Sequence, residues 1–288
     1  PGSAKNTLQI GGTRVGNRDD DALSTFTLFG PARDGRIKPD LVAPARVVSG
    51  SRDLDGDPNT CDDSRQSGTS FASPTVAGAA ALVRQYYTDG FYPGGALTPS
   101  AALLKATLIA SARAVPYRGD ITTGGKVNAL PVPSHEQGWG FPVLDDALWF
   151  PGDARKLRVV DVPLSAGLAE GESATLRIHV NAGTPLKAVL VWTDPPGHIA
   201  ATTTDTTPQL VNDLDLQVST SGATHFGNGS APDRLNNVEV VSLDEPKSGT
   251  YTIRVSAHDL KFGARQSYAL VITGDFTSAT SRSRAVRH

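Results

Sequence analysis

Between Phe71 and Tyr87 the chain carries Phe71, Ala72, Val76, Ala77, Ala79, Ala80, Ala81, Leu82 and Val83, with Pro74 its one proline. So dense an apolar run predicts a helix over 71–87 that is buried on most sides. Ser67, Thr69 and Ser70 can cap its free N–H groups, and Pro74 is placed within a first turn, where its missing N–H costs little. Small residues from Ala72 to Ala81 would let strands approach closely. Thr98-Pro99-Ser100 starts a second helix, which "AALLKATLIASA" continues with apolar positions at helical spacing. Ahead of both, "TLQIGGTRV" from Thr7 reads as a short buried strand.

After Pro151 the period changes from helical to alternating. "SATLRIHV", "KAVLVWTD", "NDLDLQVS", "VEVVSL", "GTYTIRVSA" and "SYALVI" are separated by Gly, Pro, Asn and Asp turn signals. That texture predicts an antiparallel β-sandwich over 151–276, with its strands complete and able to fold independently. Residues 1–150 form a separate, helix-bearing part. The Ser- and Arg-rich end, 277–288, is expected to be disordered.

Composition narrows the function classes. A chain of 288 residues, 39% hydrophobic, can bury a core, and its net charge of −2 offers no basic footprint for nucleic acid. No apolar run is long enough to span a bilayer. The single cysteine, Cys61, cannot make an internal disulfide and leaves the redox compartment open. The absence of methionine raises the expectation of a processed product or a fragment.

Taken alone, Ser70 would be a cap or a solvated first-turn serine. However, Gly68, Thr69, Ser70, Ala72, Ser73, Pro74, Ala77 and Gly78 together resemble the G-T-S-x-A-[ST]-P-x-x-A-G segment of subtilisin-like serine proteases, the subtilases. The resemblance implies that Ser70 is the nucleophile and that its backbone N–H lines an oxyanion hole. "GRIKPDLVAPA", Gly35 to Ala45, is similar to the family's K-P-[DE]-[LIV]-x-A-P-G segment, with Ala45 where glycine is usual. "EQGWGFPVLDDAL", Glu136 to Leu148, resembles its Q-G-x-G turn. There Gly138 and Gly140 supply positive φ and close packing, and Trp139 is a packing aromatic. "KAVLVWTDPPG", "LVNDLDLQVS" and "RLNNVEVVSLDEPKSGTYTIRVSA" resemble the jelly-roll domain attached to one branch of bacterial subtilases.

The fold class implied by this resemblance is α/β. Residues 1–150 would be the carboxyl portion of a parallel-sheet catalytic domain, and 151–276 an all-β jelly roll. In the family, the triad Asp, the triad His and an oxyanion Asn precede the strand that "TLQIGG" resembles. All six histidines, His135, His179, His198, His225, His258 and His288, follow Ser70 and so lie on the wrong side. The chain is therefore expected to carry only the nucleophile of a secreted endopeptidase acting on protein or peptide. It would need the missing amino-terminal part as partner, and would be inactive by itself. The alternative is a noncatalytic, calcium-dependent sandwich that binds or stabilises.

Two acidic clusters invite a metal reading. In "LVNDLDLQV", Asp213 and Asp215 share one strand face about 7 Å apart and repel unless neutralised. With Asn236, Asn237 and Glu239 brought near, they suggest a structural calcium site. The alternative is that Asn212 and Asp213 cap a turn while Asp215 faces water. Asp53, Asp55 and Asp57 alternate ahead of the nucleophile but lack the EF-hand glycine position and distal glutamate, so a solvated loop is expected there.

Overall fold

The computed structural model describes residues 3–14, 22–52, 62–119, 125–199, 202 and 204–286. Asp53, Asp55, Asp57, Cys61 and His288 lie outside them. Strands β1 (Ile10–Thr13), β2 (Ala22–Leu23), β3 (Leu41–Pro44), β4 (Arg46–Arg52) and β5 (Asp62–Ser67) lead into helices α1 (Thr69–Thr88) and α2 (Ala101–Ala110). Short strands β6 (Ala112–Arg113), β7 (Tyr117–Gly119), β8 (Lys126–Asn128) and β9 (Phe141–Pro142) follow.

The first sheet has the order β3-β1-β2-β7-β8 and is mixed rather than parallel. β1 runs parallel to β3 and β2 parallel to β7, but β1 and β2 are antiparallel, as are β7 and β8. The reason is connection length, since the few residues between β1 and β2 are too short for a crossover and fold back. α2 starts as its sequence predicts, with the Ser100 hydroxyl accepting the Leu103 N–H at 3.0 Å. α1 departs from prediction in three ways. Gly68 is its N-cap with no side-chain cap, and Pro74 is its sixth residue, a turn later than expected. The carbonyl that Pro74 leaves unbonded belongs to Ser70, in the exposed first turn where water can serve it. Finally, only Ala72, Val76, Val83, Tyr86 and Tyr87 are buried, along one stripe facing β1, β3 and α2. Ala77, Gly78, Ala81 and Leu82 stay exposed because no described layer covers the other side.

The remaining strands are β10 (Lys156–Val162), β11 (Glu172–Val180), β12 (Leu186–Val191), β13 (Asn212–Ser219), β14 (Thr224–Phe226), β15 (Val238–Leu243), β16 (Gly249–Leu260), β17 (Tyr268–Gly274) and β18 (Phe276–Val286). They form two antiparallel sheets, β10-β17-β12-β15 and β14-β13-β16-β11-β18. Leu190, Leu270 and Ile272 from the first meet Ile178, Leu214, Leu216 and Ile253 from the second in one core, so the predicted sandwich is present. The expectation of a disordered tail is corrected, because residues 277–286 continue β18 along the edge of β11. Backbone N–H and C=O groups on an open edge accept a partner whatever its side chains, which hydropathy cannot anticipate.

The two parts share a core. Alternation sends Ala188 and Leu190 into the sandwich, while Val189 and Val191 face the other way. They join Val159, Val238, Ala269 and Val271 against Leu103, Leu108 and Ile109 of α2. The β10-β17-β12-β15 sheet is thus apolar on both faces. A sandwich cut away at 151 would expose one of them, contrary to the expected independence.

Polar contacts close the same seam. Lys5 pairs with Asp194 and donates to the carbonyls of Pro195 at 2.6 Å and Gln209 at 2.5 Å. Asn6 and Asp194 exchange two further bonds, at 2.9 and 3.0 Å. Asn236 Oδ1 accepts the Ile37 N–H at 2.8 Å, and Asn237 Nδ2 donates to Asn6 Oδ1 at 3.0 Å.

Candidate active site

Ser70 is the second residue of α1 and is exposed. First-turn N–H groups have no intrahelical acceptor, so the Ser70 amide and the helix dipole favour negative charge beside its hydroxyl. Upstream geometry fixes this end of the helix. The Ala45 N–H donates to Thr13 O at 3.0 Å, and the Gly68 N–H donates to Ala45 O at 2.9 Å, tying β1, the end of β3 and the start of α1 together. A Cβ on Gly12 would fall 2.5 Å from the Ala45 methyl. Ala45 therefore fits where glycine is usual because Gly12 has no side chain. Among the other motif residues, Ala72 is buried in the core while Ser73 and Pro74 are exposed.

Behind this lies an ionic hub in which Lys38 and Asp40 of the K-P-[DE] segment are joined by Lys105, which the sequence did not single out. Asp40 pairs with Lys38 at 2.5 Å and with Lys105 of α2 at 2.7 Å, and accepts the Gln9 N–H at 2.8 Å. Burial pushes the Lys38 ammonium down to about 8 although Asp40 opposes it. Lys105 also donates to the carbonyls of Lys5 and Thr7. A lysine inside the otherwise apolar "AALLKATLIA" was the visible signal of such a partner. The Q-G-x-G turn behaves as expected. Gly138 and Gly140 have φ of 59° and 109°, and a Cβ at either would fall 2.2 Å from Pro39 O or 2.1 Å from Arg113 O. Trp139 is buried in the core.

Among the described residues no histidine bonds Ser70. His198 is held by Asp205 and Gln209 at 2.8 Å each, His179 and His258 are exposed on β11 and β16, and His225 lies on β14. His135 has an unpartnered buried Nδ1 beside the loop at Gly30, to which its carbonyl bonds. Ser70 thus has an oriented backbone but no general base from these side chains.

Residues 1–140 match the profile described as Subtilase family. That part of the chain belongs to the subtilases. The rest of the alignment agrees, since residues 172–257 match the Bacterial pre-peptidase C-terminal domain and cover β11 to β16 of the sandwich. Serine protease/ABC transporter B family protein tagA of Dictyostelium discoideum is 30% identical over 86% of this chain and 15% of its own length. Serine protease AprX of Bacillus subtilis is 32% identical over 31% of this chain and 23% of its own. PII-type proteinase of Lactococcus lactis subsp. cremoris is 38% identical over 23% of this chain and 3% of its own. The chain thus spans 15%, 23% and 3% of the lengths of these relatives. Among the described residues no helix is long and apolar enough to cross a membrane.

The metal expectation meets a different arrangement. Asp213 and Asp215 are both buried on β13, separated by a bulge, and neither faces water. Arg234 Nη1 lies 3.0 Å from Asp213 and 2.5 Å from Asp215, so a guanidinium sits where calcium was expected to neutralise them. Asn236 and Asn237, grouped with the pair on sequence grounds, point to the interdomain seam instead. Glu239 is fully buried and accepts the Leu216 N–H at 2.5 Å. Among the described residues no three His, Cys, Asp or Glu side chains are grouped to hold an ion, while Asp213 Oδ1 and Glu239 Oε1 are buried without a hydrogen-bond partner.

Burial pushes the Asp213 carboxyl up to about 7, with Asp215 and Asp233 adding to the rise and Arg234 opposing it. Burial likewise pushes Glu239 up, reinforced by Asp215, Asp233 and Asp213. Because the folded pKa of Asp213 exceeds the unfolded value, its contribution to stability is complete below about 4 and is lost as pH rises through 7. Arg234→Gln is therefore expected to cost about 2 kcal/mol at pH 8 and distinctly less at pH 5.5, by urea denaturation. An equal loss at both pH values would remove Arg234 from this role. Melting should be the same in chelator and in millimolar calcium, and a rise with calcium would restore the metal site.

Proposed function

We propose that Ser70 is the nucleophile of a secreted serine endopeptidase, working with an imidazole and a carboxylate from sequence preceding Pro1. The observation that supports this best is the tie from Thr13 through Ala45 to Gly68, which presents an exposed Ser70 at the open end of α1 within the subtilase motif. A neutral hydroxyl is a weak nucleophile, so the imidazole takes its proton as Oγ adds to the peptide carbonyl carbon, and the carboxylate orients that imidazole. The Ser70 N–H and an asparagine amide then hold the oxyanion. Collapse of the tetrahedral species breaks the C–N bond, with the imidazolium returning the proton to the leaving amine. Water hydrolyses the acyl-Ser70 ester by the same steps in reverse. Secretion and a protein substrate come to this chain by likeness to the family.

The test is labelling by a fluorophosphonate, which reacts only with an activated serine. The full-length gene product should hydrolyse peptides and take up one label on the tryptic peptide containing Ser70, whereas residues 1–288 alone should do neither. Stoichiometric labelling of the 288-residue chain would overturn the assignment of its general base to preceding sequence. Labelling of another serine in the full-length product would overturn the nucleophile.

Phe71 gives a second expectation. A methionine beside the nucleophile forms a sulfoxide whose oxygen crowds the reacting centre, and phenylalanine has no comparable chemistry. The full-length gene product is expected to keep most of its activity in peroxide, while Phe71→Met should lose it by about tenfold. Equal loss in both proteins would show that position 71 is not responsible.

A further inference from the structure

A cleft of about 720 Å³ opens at the seam, between the segment around Leu28 to Arg36 and the sandwich loop carrying Pro196 and His198. Its walls combine two features that rarely stay exposed without a use. Leu28 is 80% and Phe29 44% exposed, so apolar surface faces water along one wall. The cations are unevenly matched. Lys5 and Lys38 are committed to Asp194 and Asp40, Arg36 Nε binds Asp34 Oδ2 at 2.6 Å, and Asp205 is held by His198. Among the described residues Arg33, exposed at the rim, is the lining cation without a carboxylate beside it, and Nη1 of the buried Arg36 has no hydrogen-bond partner.

The cleft is also continuous with the nucleophile's support. Phe26, 39% exposed, lies two residues before Leu28, and its Cε2 would be 3.4 Å from a Cβ on Gly12, the residue that abuts Ala45. Phe26, Leu28 and Phe29 thus form one exposed apolar run that begins beside Gly12 and ends in the cleft. On these grounds, and resting on the protease reading above, we infer that the cleft is a second docking site for the protein substrate. It takes an extended segment bearing apolar side chains and a carboxylate. The apolar groups cover Leu28 and Phe29, and the carboxylate meets the exposed Arg33 at the rim. Pro196 and His198 of the sandwich line this cleft, so the site gives that domain a part in selection.

Binding tests the site without needing the triad. Fluorescence anisotropy on the full 288-residue chain would compare a labelled peptide rich in Leu and Glu with its counterpart carrying Lys for Glu. The Glu peptide should bind about tenfold more tightly, lose that advantage in high salt, and weaken about tenfold on Arg33→Glu or on Leu28→Ser. Both replaced side chains are exposed, and unchanged melting would show that the variants fold. Equal binding of the two peptides, or variants that bind as the parent does, overturns the site. In the full-length gene product, the ratio of kcat/KM for a long Glu-containing peptide to that for a short one should fall about tenfold in Arg33→Glu. An unchanged ratio in an active enzyme also overturns it. If the protein cleaves nothing yet binds as described, the protease reading fails and the docking site stands.

Discussion

Ser70→Ala in the full-length gene product is expected to lower kcat by on the order of 10⁶ while leaving the melting temperature within error. The size follows from the way a triad works as a unit, in which loss of the nucleophile removes the covalent route entirely and leaves only what the oxyanion hole and binding supply. The lack of a folding penalty follows from position. Ser70 is exposed, it caps nothing, and alanine is the better helix former by about half a kcal/mol. Most substitutions near an active site confound chemistry with stability, and this one separates them. Steady-state kinetics and a melting curve on the same preparation decide the matter. Turnover within tenfold of the parent would place the nucleophile elsewhere, and a large drop in melting temperature would make Ser70 a structural residue.

Asp194→Ala is expected to destabilise the chain by about 3–5 kcal/mol. Asp194 is almost wholly buried and receives the Lys5 ammonium together with the N–H groups of Val211 at 3.0 Å and Asn212 at 2.7 Å. Truncation leaves a buried ammonium with carbonyls alone and two backbone donors without an acceptor, and an unpaired buried charge is among the most costly defects a core can hold. Lys5→Met should cost less, because the carboxylate keeps both backbone donors and the methionine fills the same space. Urea denaturation of the full chain measures both. It should show one cooperative transition, since α2 and the sandwich share a core. A loss under 1 kcal/mol, or two separated transitions with only one affected, would mean that the seam does not couple the two parts.

Sequence alone settled what short-range physics controls. The Ser100 cap, the alternation of β16 and the tight Gly138–Gly140 turn are each decided within a few residues, by hydrogen-bond geometry, strand periodicity and the φ values glycine permits. The nucleophile was legible for a similar reason: the motif around Ser70 is contiguous, and its chemistry needs those residues side by side. Tertiary structure decided everything that depended on pairing across the chain. Lys5 and Asp194 are 189 positions apart, and Lys105 reaches Asp40 from another element, so no local pattern announces either ion pair. The acidic strand makes the same point from the opposite direction. Its repulsion was readable, but whether a metal ion or a side chain relieves it depended on a loop that places Arg234 between Asp213 and Asp215. Likewise the number of buried faces of α1, the mixed direction of the first sheet and the pairing of residues 277–286 with β11 were set by which neighbours lie alongside. Hydrophobic burial and backbone hydrogen bonding are satisfied by any suitable surface, and only the assembled fold determines which surface is there.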